Sequence, residues 1–231
     1  MITAGSPVVF EGSIYLTTAT KLATDKYVVC YGDSGDSVKG KCVAVIVSGT
    51  TPAEGAEATF ETVRMRQSSA TQLDTDKFAL AWDNQDDDRG KTRIGTVSGD
   101  TISFAGASST CALTDTNSPN AIAIDNDDFV IVYEDETDGE QGKSVYAQVS
   151  GTTITPGTPE VFYNRNTSLP KIALISSKKV VVSYINQRLG PNQGQVIIGI
   201  IQEVDADDTH QGQMEVKGGT MQIKGNNYQV K

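Results

Sequence analysis

Asp127-Asp128-Phe129-Val130-Ile131-Val132-Tyr133 is one of four similar runs whose fixed spacing predicts the fold of this chain. The other runs occupy residues 25–31, 76–82 and 178–184, and each ends in an aromatic residue. Successive end positions differ by 51 residues (82−31, 133−82 and 184−133), and the four residues are Tyr31, Trp82, Tyr133 and Tyr184. A repeat of this length, with several short strands in each copy, is typical of a propeller blade or a similar β-unit.

Alternation and turn residues divide each repeat into four strands, and the apolar run is the third. In the run quoted above, Phe129, Ile131 and Tyr133 point to one side of the strand, and the two valines between them point to the other. A strand that is apolar on both faces must be covered on both, as in sheets stacked around a propeller axis. Serine-glycine pairs end the fourth strand, where glycine supplies the positive φ of a turn, at 48–49, 98–99 and 150–151.

The predicted fold is therefore all-β, a β-propeller of four blades with about 51 residues and four strands in each. The units lie near 6–50, 51–100, 101–151 and 152–202 within a domain at 1–204, followed by a C-terminal hairpin or arm at 205–231. The N-terminal run Gly5-Ser6-Pro7-Val8-Val9-Phe10 matches Gly157-Thr158-Pro159-Glu160-Val161-Phe162. We therefore expect the N-terminal strand to complete the fourth blade and close the ring.

The composition argues against several classes of function. With 29 acidic and 19 basic residues the formal charge is −10, which opposes a nucleic-acid surface. No run approaches the roughly 18 apolar residues of a membrane helix, and the first residues lack the features of a secretory signal. The single histidine, His210, supports neither a catalytic triad nor a multi-histidine zinc site, so we expect no enzyme, although paired carboxylates for glycoside hydrolysis stay open.

The three cysteines are expected to be buried free thiols, because no secretion signal is visible and their number is odd. If Cys30 and Cys42 lie on adjacent antiparallel strands, however, a bond between them is geometrically possible.

The loops between the third and fourth strands are acidic, and the repeat places them on one side of the ring. Carboxylates spaced two or three residues apart suit calcium, the one cofactor considered, with Asp86, Asp88, Asp135 and Asp138 as its candidate ligands. No loop completes the twelve-residue calcium motif, and solvated turns that keep the surface soluble explain the same residues.

Candidate ligand-binding residues lie in the same region: Trp82, Asp83, Asp86, Asp135 and Asp138. A ring of repeated aromatic residues suits sugar stacking. These residues also end the most apolar strand, however, which favours packing between blades.

The repeat resembles those of tail-fibre and other virion proteins of marine bacteriophages. The resemblance covers residues 6–202 and rests on Leu73 to Phe78, an acidic turn, a Gly-Lys pair, Val149 to Thr155 and Glu160 to Phe162. It implies a virion protein assembled in the host cytoplasm, with other virion proteins and a host surface glycan or receptor as partners.

The first hypothesis is accordingly a non-enzymatic protein on the tail or capsid surface that presents a propeller for host attachment. The alternatives are a capsid decoration or tail connector protein, and a cellular lectin-like or carbohydrate-active propeller. The C-terminal arm should pack on the ring, supply an alternative closing strand, or reach a neighbouring subunit and so form a homo-oligomer.

Overall fold

The computed structural model covers the four repeats and parts of the C-terminal segment. It describes the backbone of residues 5–187, 192–201, 214–215, 221–224 and 227–229, and the side chains of 5–187 and 192–201 except that of Leu113. His210 and most of the arm at 205–231 lie outside the described residues. Within the described part, no helix is long and apolar enough to cross a membrane.

Each repeat folds into an antiparallel unit that begins with three long strands. Unit 1 contains β1 (Ile14–Ala23), β2 (Lys26–Asp33), β3 (Lys39–Ser48) and β4 (Thr51–Glu54), with a short 3-10 turn at Ser34–Asp36. Unit 2 contains β5 (Ala58–Asp74), β6 (Lys77–Asn84), β7 (Arg89–Ser98) and β8 (Thr101–Ser103). Unit 3 contains β9 (Ser109–Ala123), β10 (Asp128–Asp135), β11 (Gln141–Ser150), β12 (Thr153–Pro156) and β13 (Glu160–Tyr163). Unit 4 contains β14 (Thr167–Ser176), β15 (Lys179–Asn186) and β16 (Gln193–Ile201), followed by β17 (Met214–Glu215), β18 (Met221–Lys224) and β19 (Asn227–Gln229).

Neighbouring units share strands. The first part of β5 pairs with β3 of unit 1, and the rest pairs with β6 of unit 2. In the same way β9 pairs first with β7 and then with β10. Units 1 and 2 therefore each take an outer strand from the start of the next repeat.

The turn that follows each fourth predicted strand has the expected conformation. Gly49, Gly99 and Gly151 each adopt a φ of +63°, a region that glycine enters without a steric penalty.

The units stack face to face, and their first strands β1, β5, β9 and β14 contact each other in that order. We call the face that a unit turns to the following unit its forward face and the opposite face its backward face. Val28 and Cys30 on the forward face of unit 1 belong to one cluster with Phe78 and Leu80 on the backward face of unit 2. The same alternation recurs between units 2 and 3 and between units 3 and 4. The apolar run is thus covered on both faces in β6 and β10, as predicted.

The sheet does not close into the predicted ring. Residues 5–13 form no strand, and the edge of β16 pairs with β17 and β18 from the C-terminal segment. Phe10 instead packs on Tyr31 of unit 1, with ring centroids 5.1 Å apart. The N-terminal run therefore covers unit 1 and does not complete unit 4, because another segment already occupies that edge.

The expectation of free thiols is wrong for two of the three cysteines. Cys30 and Cys42 face each other directly across β2 and β3 and form a disulfide. Their Cα atoms are 4.0 Å apart, so no backbone movement is needed to join them. Cys111 is free and buried, as expected.

Replacing Cys30 and Cys42 together by alanine should lower the free energy of unfolding by about 2–3 kcal/mol, since the bond closes a short loop and the pair lies in the core. Denaturant unfolding of the variant and of the oxidised and reduced wild type measures this. Reduction should lower the wild-type midpoint and leave the variant unchanged. Equal midpoints for oxidised and reduced wild type would contradict the prediction.

Candidate functional site

The aromatic residue that ends each apolar run is buried in all four units. Tyr31 and Trp82 are 0% exposed, Tyr133 is 1% exposed and Tyr184 is 3% exposed. The Trp82 indole nitrogen donates a hydrogen bond of 3.1 Å to Oε2 of Glu61. The preference for core packing is therefore confirmed, and Trp82, a candidate for ligand binding, is corrected to a core residue because no face of its ring is open.

A second aromatic residue packs against this position in three of the four units. The ring pairs are Phe10–Tyr31 at 5.1 Å, Phe60–Trp82 at 5.1 Å and Phe162–Tyr184 at 5.6 Å. At Tyr133 the equivalent position, 51 residues after Phe60 and 51 before Phe162, is Cys111. The junction of units 2 and 3 thus lacks one aromatic ring.

The contacts of three equivalent glycines show how this junction differs from the others. The rings of Phe60 and Phe162 lie directly on Gly40 and Gly142, so close that a Cβ atom there would overlap the ring. Gly90 is the corresponding glycine of unit 2, and a Cβ atom there would meet no ring but Thr116 Oγ1 at 3.1 Å and Ala112 Cβ and Cys111 Sγ at 3.2 Å. No ring therefore covers Gly90, and a pocket lies beside Cys111 and Tyr133.

The pocket has a volume of about 290 Å³, and we call it the Tyr133 pocket. Its walls combine a tyrosine, two prolines and short polar side chains: Thr110, Cys111, Thr114, Tyr133, Lys143, Pro156, Gly157 and Pro159. Burial raises the pKa of the Cys111 thiol to about 12, so this cysteine is protonated and not a nucleophile at neutral pH.

The Tyr133 hydroxyl has no hydrogen-bond partner among the described residues, whereas the Tyr31 hydroxyl donates to Glu57 and the Trp82 indole donates to Glu61. Ala112 stands 51 residues after Glu61, at the equivalent position of the next repeat, so the carboxylate is missing together with the ring. The pocket therefore offers a hydroxyl that can donate and accept.

A buried carboxylate fixes the lysine of the pocket. Asp135 is 0% exposed, and its Oδ2 accepts hydrogen bonds from Lys143 Nζ at 2.6 Å and from Thr114 Oγ1 at 2.8 Å. Its Oδ1 accepts the backbone N–H of Thr137 at 3.0 Å. Asp138 is exposed, with Oδ2 3.6 Å from Lys143 Nζ. The predicted residues Asp135 and Asp138 thus lie beside the pocket and position Lys143.

The other predicted acidic residues lie on the loop of unit 2, away from this pocket. Asp83 is completely buried and accepts a hydrogen bond of 2.6 Å from Arg66 Nε. Asp86 and Asp88 are exposed, and Asp88 adopts a φ of +53°. The described residues contain no group of three or more histidine, cysteine, aspartate or glutamate side chains that could hold a metal ion. The four candidate calcium ligands are therefore not brought together, since Asp86 and Asp88 lie on one loop and Asp135 and Asp138 on the next.

Arg66 lies among several carboxylates where units 2 and 3 meet. Besides Asp83, its Nη2 atom lies 3.9 Å from Asp115 and 4.0 Å from Glu136. Burial is the largest influence on Asp83 and raises its pKa to about 6 against the opposing effect of Arg66. Burial also raises the pKa of Glu134 to about 7, with Glu136 and Glu140 adding to the shift. The Tyr133 pocket is not lined by Asp83 or Glu134, so these carboxylates do not face it.

The comparisons with known proteins add information on the fold. No protein-family model matches the chain, and no curated protein matches it. The chain is similar to the crystal structure of a protein of unknown function from Dyadobacter fermentans DSM 18053, with 14% identity and a TM-score of 0.55, over 76% of this chain and 50% of that one. It is also similar to the Hadza microbial sialidase Hz136, with 9% identity and a TM-score of 0.51, over 80% of this chain and 44% of that one.

A weaker similarity, with a TM-score of 0.48 and 12% identity, is to the β-propeller domain of the Trilobed protease from Pyrococcus furiosus, described as having an open velcro topology. It covers 91% of this chain and 60% of that one and carries no argument by itself. The chain spans about half of the length of the first two structures. The fold is all-β with propeller-like neighbours.

Proposed function

We propose that this chain is a non-enzymatic binding module whose Tyr133 pocket takes one sugar residue of a glycan. The observation that carries the proposal is the pocket beside Tyr133, at the junction where Cys111 and Ala112 stand in place of the phenyl ring and the carboxylate of the preceding junction.

The composition of the pocket suits a sugar. Small-molecule sites combine apolar walls with a few placed polar groups, and their volumes begin at roughly 300 Å³. A volume of about 290 Å³ favours a single ring over an extended chain. Pro156 and Pro159 offer apolar surface to C–H groups, while Lys143 and the Tyr133 hydroxyl can bind hydroxyl oxygens.

Binding without hydrolysis is part of the proposal. Hydrolysis by the usual route needs two carboxyl groups on either side of the scissile bond. The residues that line the pocket include no carboxylate, and the nearby Asp135 is engaged by Lys143 and Thr114. The similarity to a protein named as a sialidase makes sialylated glycans one class to include in the test.

The setting on a virus particle is the further part of the proposal and rests on the resemblance of the repeats to virion proteins. In that setting the glycan belongs to the host surface, and other virion proteins hold the chain. Detection of the chain in purified particles tests this part separately from sugar binding. A capsid decoration or connector protein would be found in particles but would bind no glycan.

The pocket can be closed with a residue that the fold already accepts at the same position elsewhere. Cys111→Phe should place a ring over Gly90 as Phe60 does over Gly40, and should abolish binding of glycans that a glycan array identifies for the wild type. Cys111→Ser is the matched control, because it keeps the pocket open and should retain wild-type affinity. Calorimetric titration of the three proteins with the identified sugar measures their affinities.

Unchanged affinity of Cys111→Phe, with a normal unfolding midpoint, would place glycan binding elsewhere on the chain. An array without any bound glycan would overturn the proposed function. Release of free sugar from the bound glycan would instead favour the carbohydrate-active alternative.

A further inference from the structure

The first and the last unit each have one face that no neighbouring unit covers. On the second strand of a unit, the backward-facing pairs are fully buried in units 2 to 4, namely Phe78 and Leu80, Phe129 and Ile131, Val180 and Val182. The equivalent Tyr27 and Val29 of unit 1 are only half-buried. The structure therefore has an uncovered backward face on unit 1.

Within the described part of the chain, no unit covers the forward face of unit 4 either. Its second strand presents Val181, which is half-buried, and Ser183, which is exposed. At the equivalent positions of units 1 to 3 every residue is buried, namely Val28 and Cys30, Ala79 and Ala81, Val130 and Val132. Val196 and Ile198 on β16 continue this face and are also half-buried.

Within the chain, a forward face packs on a backward face three times. We propose that the fourth such junction forms between two copies of this chain, with the forward face of unit 4 on the backward face of unit 1 of a second copy. The interface is heterologous, because two different surfaces meet, and it leads to a ring if the rotation closes and to a chain of copies if it does not.

The two faces carry a matching projection and depression. Met65 of unit 2 is completely buried and belongs to the cluster of Val28 and Cys30 on the forward face of unit 1. The equivalent residue of unit 1, 51 positions earlier, is Ile14, which is 42% exposed. On unit 4 the corresponding place is a depression of about 660 Å³ lined by Leu169, Lys171, Ser183, Tyr184, Ile185, Gly194, Gln195 and Val196. Ile14 of the second copy fits there as Met65 fits on unit 1.

Charges at the hairpin turns also match. Lys77 of unit 2 pairs with Asp127 of unit 3 at 3.1 Å. Advancing Lys77 by two repeats gives Lys179, and moving Asp127 back by two repeats gives Asp25, so the same opposite charges meet at the proposed junction. Such an exposed pair adds little affinity but favours this orientation.

A series of hydrogen bonds between units ends at Lys171. Backbone N–H groups of Ala70, Ala121 and Ile172 donate to side-chain oxygens one unit earlier, of Thr18 at 3.2 Å, Ser69 at 3.0 Å and Asn120 at 2.9 Å. At the junction between copies the next pair is Ala19 N–H with Lys171, and lysine cannot accept. Lys171→Asn should supply the missing acceptor and shift association to lower protein concentration.

Light scattering and sedimentation of the full chain test the proposal. We expect a mass of at least twice the 24.6 kDa of one chain. Ile14→Arg and Ser183→Arg, both at exposed positions, should each give monomers, and Thr101→Arg on an exposed outer strand of unit 2 should keep the wild-type mass.

The decisive step is to mix the two monomeric variants. The intact forward face of Ile14→Arg and the intact backward face of Ser183→Arg should form one junction, so an equimolar mixture should double its mass. A monomeric wild type, a mixture that stays monomeric, or assembly that survives both substitutions, as contact through the C-terminal arm would, each overturns the proposal. None of these outcomes depends on whether the Tyr133 pocket binds a glycan.

Discussion

Replacement of Trp82 with alanine is expected to lower the free energy of unfolding by about 3–5 kcal/mol. Trp82 is completely buried, packs on Phe60 with ring centroids 5.1 Å apart, and donates its indole N–H to Glu61. The substitution leaves a large cavity between units 1 and 2 and removes a partner of the Glu61 carboxylate. Chemical denaturation followed by circular dichroism measures the change.

Two further variants separate the contributions at this position. Trp82→Phe keeps a ring against Phe60 and should cost much less, because mainly the hydrogen bond to Glu61 is lost. Tyr15→Ala removes an aromatic side chain that is 43% exposed and should change stability little. A Trp82→Ala protein of wild-type stability would show that the residue is not part of the core.

Replacement of Arg66 with methionine is expected to cost about 3–4 kcal/mol at pH 8, because it leaves the ionised Asp83 buried without its cation. Asp83 is 0% exposed, and its Oδ2 lies 2.6 Å from Arg66 Nε, while Arg66 keeps 28% of its side chain exposed. Denaturant unfolding at several pH values measures the effect.

The loss in free energy of unfolding caused by Arg66→Met should become smaller as the pH is lowered. The pKa of Asp83 is already raised to about 6 by burial, and loss of Arg66 removes an influence that lowers it. A carboxyl group with a raised pKa in the folded state binds its proton more tightly there than in the unfolded chain, so its stability contribution is lost as the pH rises through that pKa. At pH 5 the variant should therefore differ much less from the wild type than at pH 8.

The double variant Arg66→Met with Asp83→Asn is the matched control. It carries no buried charge at this position, so its stability should lie above that of Arg66→Met at pH 8 and depend less on pH. A cost for Arg66→Met that is the same at both pH values would show that Asp83 does not carry the effect.

The period of 51 residues predicted the strands and the order of the units, because alternation and turn glycines are local features that recur along the chain. Closure could not be predicted in this way. The match between the N-terminal run and residues 157–162 is correct as a statement about packing, since Phe10 lies on Tyr31 as Phe162 lies on Tyr184. The same match wrongly predicted that the N-terminal run pairs with unit 4. β17 and β18, from a segment outside the repeat, occupy the edge of β16 instead.

A calcium site and a ligand-binding site were predicted at the acidic loops because clustered carboxylates are easy to recognise in a sequence. Asp83 and Asp135 proved to be buried partners of Arg66 and Lys143, which lie on the strands paired with theirs. The Tyr133 pocket was missed because it arises from an absence. Its signal was nevertheless present: at the 51-residue spacing the sequence reads Phe60, Cys111, Phe162, and only the middle position lacks a ring.

The strands that belong to two units at once affect how this protein comes apart. β5 pairs with strands of units 1 and 2, and β9 pairs with strands of units 2 and 3. If β5 separates from unit 2, unit 1 therefore also loses its outer strand. Proteins made of repeats are often described as rows of segments that melt separately. Here a continuous backbone crosses two of the boundaries, which couples the local unfolding of units 1 to 3 into one cooperative step. Between units 3 and 4 the strands β13 and β14 are separate, and a partial opening of the molecule would begin there.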